Sequence, residues 1–155
     1  MNVRNGRREA RQTLEPWVAK GMLSLLSQTA ENISELLYAS ICVSEHYPEL
    51  ADSLERMAGE EASRFRMLGS GMLRCGLDPT VRSLLWGQGR RVGGLRGTSA
   101  EEIEAFLCNM RERTERMLEE SLRVLTAPRL ETEDFTATVL DGQEKQLRRL
   151  QQMLS

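Results

Sequence analysis

LDPTVRSLLWGQGRRVGGLRGTS, residues 77–99, decides the fold. It separates two pairs of helical segments and is several times longer than the roughly two to eight residues that usually join helices in a bundle. A crossover of that length can run the height of a bundle. A bundle of helices linked only by tight turns has no use for one.

Outward from this segment, apolar residues recur at spacings of three and four. The helix before it, over about 48–75, opens at Pro48. Leu54, Met57, Ala58, Phe65, Leu68 and Met72 form its inner face, and Gly76-Leu77-Asp78-Pro79 stops it. The first helix, over about 16–45, opens at Glu15-Pro16-Trp17, with Pro16 suited to the first helical position. Its apolar stripe runs through Met22, Leu25, Leu26, Ile33, Leu36, Leu37 and Ile41, and His46-Tyr47-Pro48 ends it. After the crossover (77–98), Thr98 or Ser99 caps a third helix over about 99–126. Glu101 and Glu102 fall in its first turn, where carboxylates suit the helix dipole. It carries Ile103, Phe106, Leu107, Met110, Met117, Leu118 and Leu125, then breaks at Ala127-Pro128. The fourth, over about 130–154, carries Phe135, Val139, Leu147, Leu150 and Met153. No segment alternates with period two, so the pattern predicts an all-α protein. Residues 15–155 form one four-helix bundle of two antiparallel hairpins joined by the long crossover, preceded by a basic segment at 1–14.

Composition excludes several classes. Apolar residues at 40% and charged residues at 28% suit a globular chain that buries a core rather than a disordered one. A net charge of −2 argues against a general nucleic-acid binder, whose domain is strongly basic. No apolar run reaches the roughly 18 residues of a membrane span, so no membrane partner is expected. The N-terminus is basic but lacks the apolar stretch of a signal peptide. Cys42, Cys75 and Cys108 are odd in number and sit in helical patterns, which suits buried thiols in a reducing, cytoplasmic setting. The one histidine, His46, lies at a helix end with no serine motif beside it, so no nucleophile–base pair is found.

The two hairpins also resemble each other. MAGEEASRFRML (57–68) lies over VLDGQEKQLRRL (139–150) without a gap: Met57 meets Val139, Phe65 meets Leu147 and Leu68 meets Leu150. Glu61 then falls on Gln143 and Arg64 on Gln146. At about 100° per residue Glu61, Gln143 and Gln146 point along their apolar stripes. Buried polar groups left alone are costly, so these positions want partners inside.

At these residues the chain resembles the rubrerythrin and manganese-catalase branch of the ferritin-like superfamily, in particular its small bacterial members. Ile33-Ser34-Glu35-Leu36 resembles the first-helix motif in which a Glu supplies a metal ligand. MAGEEASRFRMLGSGMLRCGLDP (57–79) resembles the second-helix motif, a Glu-x-x-His followed by Leu-Gly and closed by Gly-x-Asp-Pro. The resemblance covers residues 20–155. It implies a dimetal-carboxylate bundle acting on oxygen or peroxide, with a Glu from each of two helices and a Glu-x-x-His from each of the others.

This chain departs from that pattern. Glu35 and Glu61 match as remnant metal positions. Arg64 stands where the first His belongs, Thr114 is the inward residue of the third helix at that level, and Gln143 and Gln146 take both ligand positions of the fourth. Glu115 points about 100° away. Two metal ions carry about +4, which carboxylates offset; here acids are lost and a guanidinium is gained. Glu61 is expected to pair with Arg64, and Gln143 with Gln146 or Thr114, giving a core without iron or manganese.

The leading expectation is therefore a metal-free protein with a structural or partner-binding role and no catalytic residues. The alternatives are an iron or manganese oxidoreductase acting on oxygen or peroxide, and a polyanion-binding module. Arg82, Arg90, Arg91 and Arg96 make the crossover basic, as Arg4, Arg7, Arg8 and Arg11 do the N-terminus, and offer a surface to a protein or polyanion. Tyr38 and Cys42 give the first helix a second partial apolar stripe, widened by Leu23, while Leu84, Leu85 and Trp86 add apolar area in the crossover. Both features point to a homodimer with Trp86 as an anchor. The eight methionines sit largely on apolar faces and read as core filler, and Gly87-Gln88-Gly89 lacks the strand-to-helix setting of a phosphate loop.

Overall fold

A computed structural model describes residues 15–77, 94–125 and 133–155. Among these residues the chain is all helix, with no strand: α1 (Pro16–Val43), α2 (Pro48–Arg74), α3 (Ala100–Leu125) and α4 (Glu133–Leu154). The helix ends fall within one or two residues of the sequence reading, apart from the start of α4, where 126–132 lie outside the described residues. Most of the crossover (78–93), with Arg82, Arg90, Arg91 and Trp86, and the basic segment 1–14 also lie outside them. No described helix is long and apolar enough to cross a membrane.

The helix ends follow from local chemistry. Pro16 and Pro48 occupy first-turn positions, where a missing N–H costs nothing. Gly76 adopts φ 77°, the left-handed conformation that closes α2. Its N–H donates to the Leu73 carbonyl at 3.0 Å and that of Leu77 to Met72 at 2.8 Å, the paired bonds of a glycine-terminated helix. Ser99 caps α3: its hydroxyl accepts from the Glu102 amide at 3.1 Å and donates to the Glu102 carboxylate at 2.8 Å.

The helices form a bundle. α1 packs most extensively on α2, and α3 on α4; thinner α1–α3 and α2–α4 contacts close the ring. Each helix buries a run spaced four, three and four: Leu25, Thr29, Asn32, Leu36 on α1; Met57, Glu61, Arg64, Leu68 on α2; Met110, Thr114, Met117, Ser121 on α3; Val139, Gln143, Gln146, Leu150 on α4. The apolar core is thus split. One cluster holds Met22, Leu25, Leu68, Met72, Met117 and Val139, and the other Leu36, Leu54, Met57, Phe106, Met110 and Leu150. Polar residues from all four helices occupy the level between them.

The first-helix stripe needs correction. Its second half turns inward through Asn32, Glu35, Leu36, Ala39 and Val43. Leu37 and Ile41 face outward, Ile41 at 73% exposure, and Ile33 is half-buried. The buried face contains polar residues, which a search for apolar spacing passes over.

α1 and α3 meet closely at Gly21, where a Cβ would stand 2.5 Å from Cγ2 of the buried Val124. Gly21→Ala gains about 1 kcal/mol of helix propensity but overpacks a stiff β-branched neighbour by about 1–3 kcal/mol. A net loss of about 1 kcal/mol is expected in urea unfolding. A more stable variant would show that the two helices stand farther apart.

Candidate functional site

The polar level between the apolar clusters is the chemically distinctive part of the molecule. α2 contributes Glu61 and Arg64, 2% and 5% exposed, three residues apart and so on one helix face. Nη2 of Arg64 donates to Oε1 of Glu61 and to Oε1 of Gln146 on α4. The guanidinium fits because α4 has no side chain opposite it. A Cβ at Gly142 would lie 2.9 Å from Nη1 of Arg64 and 3.2 Å from its Cδ. Farther out, Arg149 and Glu60 bridge the same two helices at 2.7 Å.

A second, less deeply buried ion pair joins α1 and α3. Nη1 of Arg113 donates to Oε2 of Glu35 at 2.5 Å and to Oδ1 of Asn32 at 3.0 Å. Asn32 in turn donates from Nδ2 to the Met117 sulfur at 3.1 Å. The Asn32 amide also favours the anionic form of Glu61 from the α1 side of the core.

Burial pushes the Glu61 carboxyl above its ordinary value of 4.5, against the downward pull of Arg64 and the amides of Asn32 and Gln146. The pairing is also incomplete. Oε2 of Glu61, Nε of Arg64, Oε1 of Gln143, Nε2 of Gln146 and Oγ of Ser121 are buried without a hydrogen-bond partner. Donors and acceptors are both left over, so the layer is held by charge and shape more than by full hydrogen bonding.

The expected site residues therefore come together in part. Glu61 pairs with Arg64 as the sequence suggests, and Gln143 and Gln146 point inward. Thr114 is buried, but its hydroxyl donates to the Met110 carbonyl of its own helix at 2.7 Å, so it does not pair with Gln143. A threonine inside a helix reaches the carbonyl one turn back more readily than a partner across the core. Gln146 bonds Arg64 rather than Gln143. Glu35 faces inward and belongs to Arg113. Arg96 is exposed on the segment leading into α3.

Asn32, Arg113 and Gly142 were missed by sequence reasoning. Asn32 had a signal, the spacing it shares with Leu25, Thr29 and Leu36. Arg113 lies one position to the side of the inward Thr114 and reaches the core with its long stem. Gly142 works through what it lacks. Among the described residues, no three His, Cys, Asp or Glu side chains gather in a way that could hold a metal ion.

Arg64→Ala strands Glu61 and Oε1 of Gln146 in the core, and a loss of roughly 3–5 kcal/mol is expected in denaturant unfolding. Replacing Glu61 with Gln and Arg64 with Met together removes both charges and should cost much less. An effect of Arg64→Ala within about 0.5 kcal/mol, typical of a surface change, would place its side chain in solvent.

No family model, curated protein or solved structure matches the chain.

Proposed function

We propose that the protein is a metal-free member of the ferritin-like class, two antiparallel hairpins joined by the long crossover, with a structural or partner-binding role. The observation that carries this reading is Arg64, whose guanidinium sits in the core on the carboxylate of Glu61 and the amide of Gln146. A fixed organic cation there does the electrostatic work that a bound metal does among carboxylates. The side chains do not fit a dimetal centre. Glu35 and Glu61, the two acids that match such a site, are each claimed by an arginine, and Gln143 and Gln146 offer neutral amides where a carboxylate and an imidazole are needed.

The partner favoured by the surface is a second copy of the chain. From Leu36 to Val43 α1 carries no charged residue, and Leu37, Tyr38 and Ile41 are exposed on its outer side. An uncharged apolar face meets its own copy across a two-fold axis without repulsion.

Two measurements test this reading. Protein purified without chelator should contain no stoichiometric iron or manganese, and chelator should leave its thermal midpoint unchanged, since a metal bound only by the folded state would raise that midpoint. A stoichiometric metal lost together with stability would overturn the reading. Light scattering at micromolar concentration should give twice the 17.6 kDa of one chain, and Ile41→Glu should return the mass to one chain. A wild-type mass of one chain rejects the dimer.

A further inference from the structure

Arg113 and Arg116 form a ridge on α3 with a cleft on either side. The cleft of about 490 Å³ facing α1 is acidic, with Glu31, Glu35 and Glu120 in its walls. Two of its carboxylates, those of Glu35 and Glu120, are committed elsewhere than to Arg116. Glu35 holds Arg113. Glu120 accepts from Arg123 through both oxygens, at 2.7 and 3.2 Å. The charges acting on Glu31 are those of Arg113 and Glu35. Among the described residues Arg116 has no ion-pair partner, and it borders the opposite cleft as well.

That second cleft, about 330 Å³, has the reverse balance. Arg96, Asn109 and Arg116 supply donors around a floor closed by the buried Phe106. Leu95, 7% exposed and packed in the core, fixes the segment that carries Arg96. Of the two carboxylates present, Glu102 is tied to Ser99 and lies so close over Gly97 that a Cβ there would collide with it. Among the described residues Glu112 makes no ion pair, and neither do the guanidinium groups of Arg96 and Arg116. Forked guanidinium donors in a concave site are the chemistry that recognises phosphate and carboxylate oxygens. The volume sits at the small end of ligand pockets, roughly 300–1,000 Å³.

We propose that this cleft binds a small oxyanion, a phosphate or a carboxylate, between Arg96 and Arg116, with Asn109 as a neutral donor. The site is separate from the core ion pairs and does not depend on whether the core ever held metal. Glu112, four residues before Arg116 on the same helix, is the competitor that a ligand displaces.

The test is titration with inorganic phosphate and, separately, with acetate at constant ionic strength, followed by backbone-amide NMR. Saturable shifts confined to residues 94–97 and 105–116 are expected, and the anion that saturates at lower concentration identifies the preferred oxyanion. Arg96→Gln and Arg116→Gln should each weaken binding at least about tenfold, the worth of a charge-assisted contact. Glu112→Gln should tighten it by about twofold to fivefold. All three side chains are exposed, and unchanged circular dichroism will confirm that each variant folds. Shifts that rise without saturating, or a saturation that these three substitutions leave unmoved, would overturn the proposal.

Discussion

A guanidinium shut away from water must be answered on the atoms it presents, and Arg64 imposes that demand on the middle of this bundle. Burying it without partners would cost several kcal/mol. Glu61 supplies the opposite charge, Gln146 a second acceptor, and Gly142 the space in which the head group lies. Much of the arrangement follows from that. α2 and α4 have to meet where Arg64 and Gln146 are level, and the apolar core has to part around the site. Leu68 and Met72 belong to one cluster, and Leu54 and Met57 to the other. Across the bundle Arg113 does the same for Glu35, less deeply, with Asn32 as its second acceptor.

The punctuation of the fold was legible in the sequence because it depends on residues with one dominant local use. Pro16, Pro48, Gly76 and Ser99 mark ends where the helices do begin and stop. The gapless match between 57–68 and 139–150 identified Glu61, Arg64, Gln143 and Gln146 as interior positions, and all four are buried. α1 was harder to read. It is apolar on two sides, and spacing alone favours Leu37 and Ile41 for the core face that Asn32 and Ala39 in fact occupy. The partners of the polar residues were also hidden. Arg113 enters from the flank of its helix, Thr114 satisfies itself, and the value of Gly142 depends on the side chain opposite.

The misread face of α1 and the proposed association surface are the same residues seen from two directions. A helix in a bundle ordinarily shows water its charged side. α1 instead turns Leu37, Tyr38 and Ile41 outward and buries Glu35 and Asn32. This inversion follows from the polar layer. The register that delivers Glu35 to Arg113 rotates the bulky apolar residues to the outside, so the exposed apolar face proposed for association arises from the demands of the core.

The layer also makes the halves of the molecule interdependent. Its hydrogen bonds between helices join residues 78 to 85 positions apart, such as Glu35 with Arg113 and Asn32 with Met117. Either helix pair alone can bring its apolar residues together locally, but α1 with α2 then holds Arg64 without Gln146 and Glu35 without its cation. Such a half-assembled chain carries charges with nowhere to go, and loop closure must come before they are relieved. Docking of the second pair is therefore what completes the first. The central ion pairs accordingly work as a check on assembly, penalising every arrangement in which the four helices are not all present at the same height.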